Sequence, residues 1–279
     1  MSFKIILDSC GERTAEMKAD SRFASAALTL EVAHEHIVDD ETFNQAEFLR
    51  KVAASPDCPK SSCPSPEIYQ DFFMGDADHF YAVTLSSELS GSYNSAMLGR
   101  SLALEQCPEK KIHVFNSKSA SVGETLIACR IQDCEEQGMS FEETVRTVEE
   151  YIAGQNTYFV LENLETLRKN GRLSNLKAFV ASALKIKPVM GSTPEGTICQ
   201  LDQARGINRA LVKMVDYIVQ RVTESGKKRL GIAHCNCPER AQIVKEAILE
   251  RIEVLEVVIV ETAGVSSMYA NDGGIIVVI

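Results

Sequence analysis

The chain has 279 residues, 45% of them hydrophobic and 24% charged, which suits a soluble globular protein of one large or two smaller domains. Its formal charge of −10 argues against general binding to nucleic acid, which needs clustered cations, and no apolar run approaches the roughly 20 residues that span a bilayer. Nine cysteines, an odd count at scattered spacings, read as free thiols of a reducing compartment rather than a disulfide framework.

The first segment, Met1 to Asp8, is too short and too soon charged for a signal peptide and reads as a strand over Lys4–Leu7, so a cytoplasmic location is expected. Asp8-Ser9-Cys10-Gly11 is its loop. Ala27–Val32 is predicted as a strand, and Thr42–Ala53 as a helix from the spacing of Phe43, Ala46, Leu49 and Val52. Cys58 to Glu67, rich in proline and serine, reads as a loop. Ser65 and Pro66 then make a cap and first turn for a helix to about Met74. The apolar run Phe80–Leu85 is a buried strand. Between it and a helix over Ala96–Leu104 lie five serines and Gly91. Hydroxyls at a helix N-terminus can cap unpaired N–H groups or hold an anion there. Ile112–Phe115 is a further strand, followed by the loop Asn116–Ser121. Next come a long helix from Val122 to near Gly138 and another over Phe141–Ala153 with Ser140 as its cap. This alternation predicts a parallel sheet with helices on both faces, and serine-bearing loops around Ser9, Ser61, Ser90 and Ser119 could converge at the carboxyl edge.

The second half opens with a strand over Tyr158–Leu161 and a helix around Leu164–Lys169, stopped by Asn170-Gly171. A helix over Leu176–Leu184, a strand over Ile186–Met190 and a hairpin turn at Pro194-Glu195-Gly196 into Thr197–Leu201 follow. Ile207–Thr223 is a helix with Leu211, Val215, Ile218 and Val222 on one face. Leu230–His234, Glu239–Arg251 and Leu255–Val260 read as strand, helix, strand, and Ile275–Ile279 as a last strand. The whole is an α/β chain of two domains: 1–153, a parallel sheet covered on both faces, and 154–279, an α+β domain with a mixed sheet. From Thr166 to Pro194 there are six basic residues and no acidic one, a local patch suited to an anionic ligand or partner, or a solvated helix face.

The chain lacks GxGxxG, the P-loop and GxSxG. None of its five histidines sits in a catalytic context, so no base is evident for a nucleophilic serine. His234-Cys235-Asn236-Cys237 lacks zinc spacing, and His34-Glu35-His36 fits a solvated strand or loop. A hydroxyl-rich, base-poor cleft suits holding a carboxylate better than reacting with one. A small-anion hydrolase or phosphotransferase using the same cleft beside Asp8 is the alternative reading. A third is an interaction module working through Arg168–Lys187.

Several segments resemble the DegV family of fatty-acid-binding proteins, the acyl carriers of the bacterial fatty acid kinase system. Ile5-Ile6-Leu7-Asp8-Ser9 is similar to the family's opening segment, and Lys60-Ser61-Ser62-Cys63-Pro64-Ser65 to its Thr-Ser-Gln-Pro-Ser loop. Ser86 to Ala96 resembles its most specific motif, and Leu161–Leu164 through Lys169-Asn170-Gly171-Arg172-Leu173 the segment that opens its C-terminal domain. The family's C-terminal Gly-Pro-Gly turn stands here as Tyr269-Ala270-Asn271-Asp272-Gly273-Gly274. The resemblance implies a non-enzymatic two-domain carrier that holds one long-chain fatty acid and presents it to a partner kinase, with at most transient membrane contact. It implies a carboxylate held by the hydroxyls of Ser61 and Ser90, with Arg172 at the same end. Ser62, Gly91, Ser92 and Tyr269 complete the expected ligand set. No catalytic residue, metal or cofactor other than the fatty acid is expected.

Overall fold

The computed structural model describes residues 2–173, 185–222 and 228–279. Four parallel strands form the first sheet in the order β2 (Phe23–Ala26), β1 (Phe3–Asp8), β6 (His79–Thr84), β7 (Lys111–Asn116). β6 is buried at every position and β1 at all but one, as expected for strands covered on both faces. The period of two sorts their side chains cleanly. Ile5, Leu7, Tyr81, Val83 and Phe115 pack against α5 (Val122–Glu136) and α6 (Phe141–Ala153). Ile6, Phe80, Ala82, Ile112 and Val114 pack against α3 (Pro66–Phe73) and α4 (Ser92–Gln106). The last two helices touch closely: a Cβ on Gly99 would stand 2.5 Å from the carbonyl oxygen of Pro66, so glycine is what permits the crossing.

A small antiparallel sheet follows the order β4 (Glu35–Val38), β3 (Thr29–Val32), β5 (Lys60–Ser62). It revises two expectations. The strand predicted over 27–32 is shortened to β3, which starts at Thr29, and β2 before it was not expected; the chain leaves the parallel sheet after Ala26. The Ser61 segment, expected as loop, is a short strand whose Ser61 lies opposite Leu30. β4 carries His36 on an exposed strand, as the solvated reading of that motif requires.

The second half forms a mixed six-stranded sheet. Its order is β10 (Ile198–Arg205), β9 (Ile186–Ser192), β8 (Thr157–Val160), β13 (Ile275–Val278), β11 (Arg229–His234), β12 (Glu256–Glu261). β9 and β10 make the expected hairpin. One face is covered by α8 (Ile207–Arg221) and α9 (Pro238–Leu249) around Leu211, Val215, Ile218, Val244 and Ile248. Part of the other face receives α5, whose Val122 and Leu126 pack on Ala233, Val258 and Val260. Gly231 makes room for this, since a Cβ there would be 2.8 Å from Val122. α5 therefore serves both large sheets. The rest of that face looks across to the carboxyl ends of the parallel strands, and the candidate site lies between them. The helix predicted over 176–184 lies outside the described residues. No helix among the described residues is long and apolar enough to cross a membrane.

Candidate functional site

An apolar cavity occupies the space between the mixed sheet and the loops of the parallel sheet. Phe159, Leu161 and Ile276 line it from the sheet, Leu85, Leu89 and Ala120 from the parallel-strand loops, and Leu167 from α7 (Glu165–Lys169). Val265, Tyr269 and Ala270 come from α10 (Gly264–Ala270), a helix the hydropathy pattern did not reveal. Its sequence, GVSSMYA, is buried almost all round and so has no amphipathic period. Asp39 anchors its start by accepting the N–H groups of Gly264 at 2.6 Å and Val265 at 2.9 Å, and the Ser9 hydroxyl at 2.9 Å. A larger depression elsewhere, lined by Arg13, Glu16, Glu41, Arg229, Glu256 and Glu261 among others, is too highly charged to receive an acyl chain.

Two groups of polar residues stand on or beside the cavity wall. In one, Ser119 and Thr157 share a hydrogen bond of 2.6 Å, and Ser192 accepts the Thr157 N–H. The Ser86 hydroxyl donates to the Gly196 carbonyl at 2.8 Å, fastening the β9–β10 hairpin to the serine loop. These hydroxyls satisfy one another or the backbone. The other group is arranged differently. Arg172 donates Nε–H to the Leu89 carbonyl at 3.1 Å and a second N–H to the Asn170 carbonyl, and its guanidinium stands 5.9 Å from the centre of the Tyr269 ring. Burial pushes the Tyr269 phenol up in pKa, while the Ser61 hydroxyl within its reach and the charge of Arg172 act in the opposite sense. Arg172 thus links Tyr269, beside Ser61, to Leu89, the residue before Ser90.

The five serines from Ser86 to Ser95, the last two in the first turn of α4, are now separable. Ser86 serves the hairpin. Ser87 and Asn116 bond each other, with the asparagine amide 2.8 Å from the hydroxyl. Ser95 donates to the Pro64 carbonyl. Ser92 is fully buried. Ser90 is half-buried, and the hydrogen bonds of its hydroxyl run to Ser92 alone, at 3.2 Å to Oγ and 3.2 Å from the backbone N–H. Gly91, exposed at the start of α4, lies against the Ser61 segment, since a Cβ on it would be 3.2 Å from the Cys63 sulfur. Among the expected ligand residues, Ser61, Tyr269 and Arg172 are brought together beside the Leu89-Ser90-Gly91 turn. Ser62 alternates to the exposed side of β5, and Ser92 turns inward.

Beneath this turn lies a cluster of acids that the sequence reading did not foresee beyond Asp8. Asp8, Glu12 and Glu124 are buried. Asp8 accepts the Cys10 N–H at 3.0 Å and the Leu85 N–H at 2.9 Å. Burial pushes its pKa to about 6, against those two bonds and the neighbouring Glu124 and Ser92 side chains, which lower it. Glu124 goes well above the ordinary carboxyl range, first through burial and then through the charge of Asp8. Asp8, Cys10 and Glu124 offer atoms within 4.8 Å of one another, a spacing a metal could use. Burial raises the pKa of all three, so the protonated forms of Cys10 and Glu124 fit this environment better than a set of charged ligands.

The remaining motifs have structural roles. Cys235 is buried, and Cys237 donates its N–H to His234 Nδ1 at 3.4 Å. Asn271 and Gly273, both left-handed at φ 56° and 86°, form the turn that replaces Gly-Pro-Gly. That turn is tied to the same loop by Gly273 N–H donating to Cys235 O at 2.9 Å. Of the basic segment, Arg168 pairs with Glu165 and Lys187 with Glu162, which leaves less free positive charge than the sequence implies. Lys177 is outside the described residues. Histidines stand away from the cavity wall: His79 is bonded to Glu135 and His113 to Glu149.

The chain is similar to known proteins over its whole length. A DegV domain-containing protein of Streptococcus pneumoniae is 35% identical over 278 residues, covering 99% of this chain and 98% of its own. A crystal structure of a DegV family protein from Ruminococcus gnavus, refined with vaccenic acid, superposes with a TM-score of 0.97 at 58% identity and covers 100% of this chain and 99% of that one. The Streptococcus pneumoniae Fatty Acid Kinase (Fak) B3 protein loaded with linoleic acid gives 0.89 at 33% identity, with coverage of 100% and 99%. The family model described as "Uncharacterised protein, DegV family" matches residues 2–279, and the chain belongs to the DegV family.

Proposed function

We propose that this protein is a carrier of long-chain fatty acids that presents its ligand to a partner fatty acid kinase, which converts the carboxylate to an acyl phosphate. The observation that carries the reading is the apolar cavity with Arg172 and Tyr269 on its wall and the Ser61 and Leu89-Ser90 segments against them. An acyl chain fits the surface made by Phe159, Leu161, Ile276 and Val265, whose burial against hydrocarbon is favourable. The carboxylate is placed at Ser61, Ser90 and Gly91, with Arg172 and Tyr269 beside it. Hydroxyls and an arginine hold an anion by charge-assisted hydrogen bonds without reacting with it. Crystal structures of two relatives, one 58% and one 33% identical, contain vaccenic and linoleic acid, and the second is named as the B3 protein of fatty acid kinase.

In this reading the chain supplies no catalyst. The cavity lining contains no histidine among the described residues, and its one lysine, Lys118, stands by the Gly196 turn rather than beside Arg172 and Tyr269. Residues 1–153 furnish the serine loops and 154–279 most of the apolar wall and Arg172. We take these as the two domains, and the cytoplasm, where free thiols persist, as the protein's location. Native mass spectrometry of gently purified protein tests the proposal. One long-chain fatty acid per chain is expected. Protein that is recovered empty and takes up no fatty acid when one is offered would overturn it.

A further inference from the structure

We propose that the outer edge of β12 is a docking site for an extended segment of a partner protein, apolar in its middle and basic toward its ends, which adds to the mixed sheet as a further strand. The site lies in the highly charged depression already described as unsuited to an acyl chain. It shares no lining residue with the apolar cavity, so it does not depend on the fatty-acid reading. Among the described residues β12 pairs only with β11, so it ends the six-stranded sheet. Every second residue of an edge strand turns its N–H and C=O away from the neighbour it pairs with. Side chains of a strand alternate between two faces, yet every residue from Glu256 to Ala263 lines the depression, which a strand achieves only along its edge. The segment from Gly11 to Lys18 lines it too, so the edge opens into a groove. Nothing blunts this edge. Glu256–Glu261 contains no proline or lysine, and its register with β11 runs unbroken, without a bulge. The middle of the strand is apolar. Val258 and Val260 pack on α5, but on the other face Ile259 is 38% exposed, and Leu255, just before the strand, 62%. An open apolar edge of this kind is a template for strand addition.

Charge selects the occupant. Glu256 and Glu261 stand exposed at the two ends of the strand, and the exposed Glu16, Asp40 and Glu41 line the same groove. Arg13 and Lys18 both pair with Glu41, and Arg229 with Asp133 and Glu256. Glu16, Asp40 and Glu261 enter no ion pair among the described residues, so the groove holds a surplus of negative charge. A second copy of the chain suits it poorly. Laid antiparallel on the same edge, it brings Glu256 of one strand to the Glu261 end of the other, between two chains that each carry a formal charge of −10. A partner strand with lysine or arginine near its ends meets both glutamates with opposite charge, while its apolar middle lies along Val258, Ile259 and Val260.

The test uses the whole protein and a short fluorescent peptide with lysine at both ends and valine and threonine alternating between them, read by anisotropy at physiological salt. The peptide should bind, about tenfold more tightly than its counterpart with glutamate at both ends. N-methylation of every second residue removes strand-pairing N–H groups and leaves the charge unchanged. In the register that faces β12 it should weaken binding about tenfold, and in the other register it should not. Glu261→Lys, an exposed change that leaves the core intact, should weaken the lysine peptide and tighten the glutamate one. Failure of the lysine peptide to bind would overturn the proposal. Binding that neither N-methylated register affects would mean attraction of charge alone, and would overturn it as well. A wild-type dimer in sedimentation that the peptide dissociates would assign the edge to a second copy, again against the proposal.

Discussion

Ser90 and Ser92 are two residues apart and chemically alike, yet the structure gives them different work. Ser92, the first residue of α4, is enclosed, while Ser90, in the turn before the helix, is half-open. Replacing Ser90 with alanine removes the donor facing the ligand without exposing buried charge. Fatty-acid binding should weaken by about 1.5–3 kcal/mol, read by displacement of a fluorescent fatty acid, and an unchanged affinity would remove Ser90 from the carboxylate site. Arg172 makes a different kind of contribution. Its planar fork reaches the carbonyls of Leu89 and Asn170 together while stacking near Tyr269. Lysine retains the charge but not that geometry. Arg172→Lys should therefore weaken binding by about 1 kcal/mol or more, and full retention of affinity would show that only charge matters there.

Elements with strong periodicity were readable in advance. α6 begins at the predicted residue because Ser140 and Glu143 form a reciprocal capping box, with the Ser140 N–H 2.9 Å from the Glu143 carboxylate, and it ends as predicted, before Gly154. Ser140→Ala should lower stability by about 1 kcal/mol, seen as a fall in Tm of roughly 2 °C, and no fall would mean that the packing of Val148 and Ile152 holds the helix alone. The central strands were equally legible, since an apolar run such as Phe80–Val83 has no other place to go. β5 and α10 were not. Lys60-Ser61-Ser62 has no apolar alternation and is a strand only because β3 pairs with it. Gly264–Ala270 is short, small-sided and held by Asp39, a residue more than two hundred positions away. The motif residues of the site were visible individually. Their sorting into those that face the cavity and those that brace it depends on this long-range packing.

The molecule as a whole holds several carboxyl groups away from water where its two halves meet. Burial pushes Asp8 from an ordinary 3.8 to about 6 and Glu12 from 4.5 to about 7, and also raises Asp39 and Glu124. A carboxyl whose pKa is higher folded than unfolded binds its proton more tightly in the native state. Its stabilising contribution is complete below the unfolded value and is lost as pH rises through the folded one. Carboxylates nearer the surface, such as Asp20 and Asp202, are shifted down by their hydrogen bonds to Arg22 and Lys213 and act the other way, but only in more acidic solution. Stability should therefore peak near pH 5 and decline between about pH 5 and 7.5, a direction set by the buried group rather than by surface charge. Glu12 isolates the effect, because it accepts the Ser121 hydroxyl at 2.8 Å and faces the Ala263 N–H, and an amide can keep the first bond without titrating. A shift of that size corresponds to on the order of 3 kcal/mol, or several degrees in Tm, for a fully buried carboxyl. Glu12→Gln should thus flatten the fall in Tm between pH 5 and 8. Scanning calorimetry of the two proteins across that range decides the point: parallel curves would mean that Glu12 titrates normally and that the decline has another source.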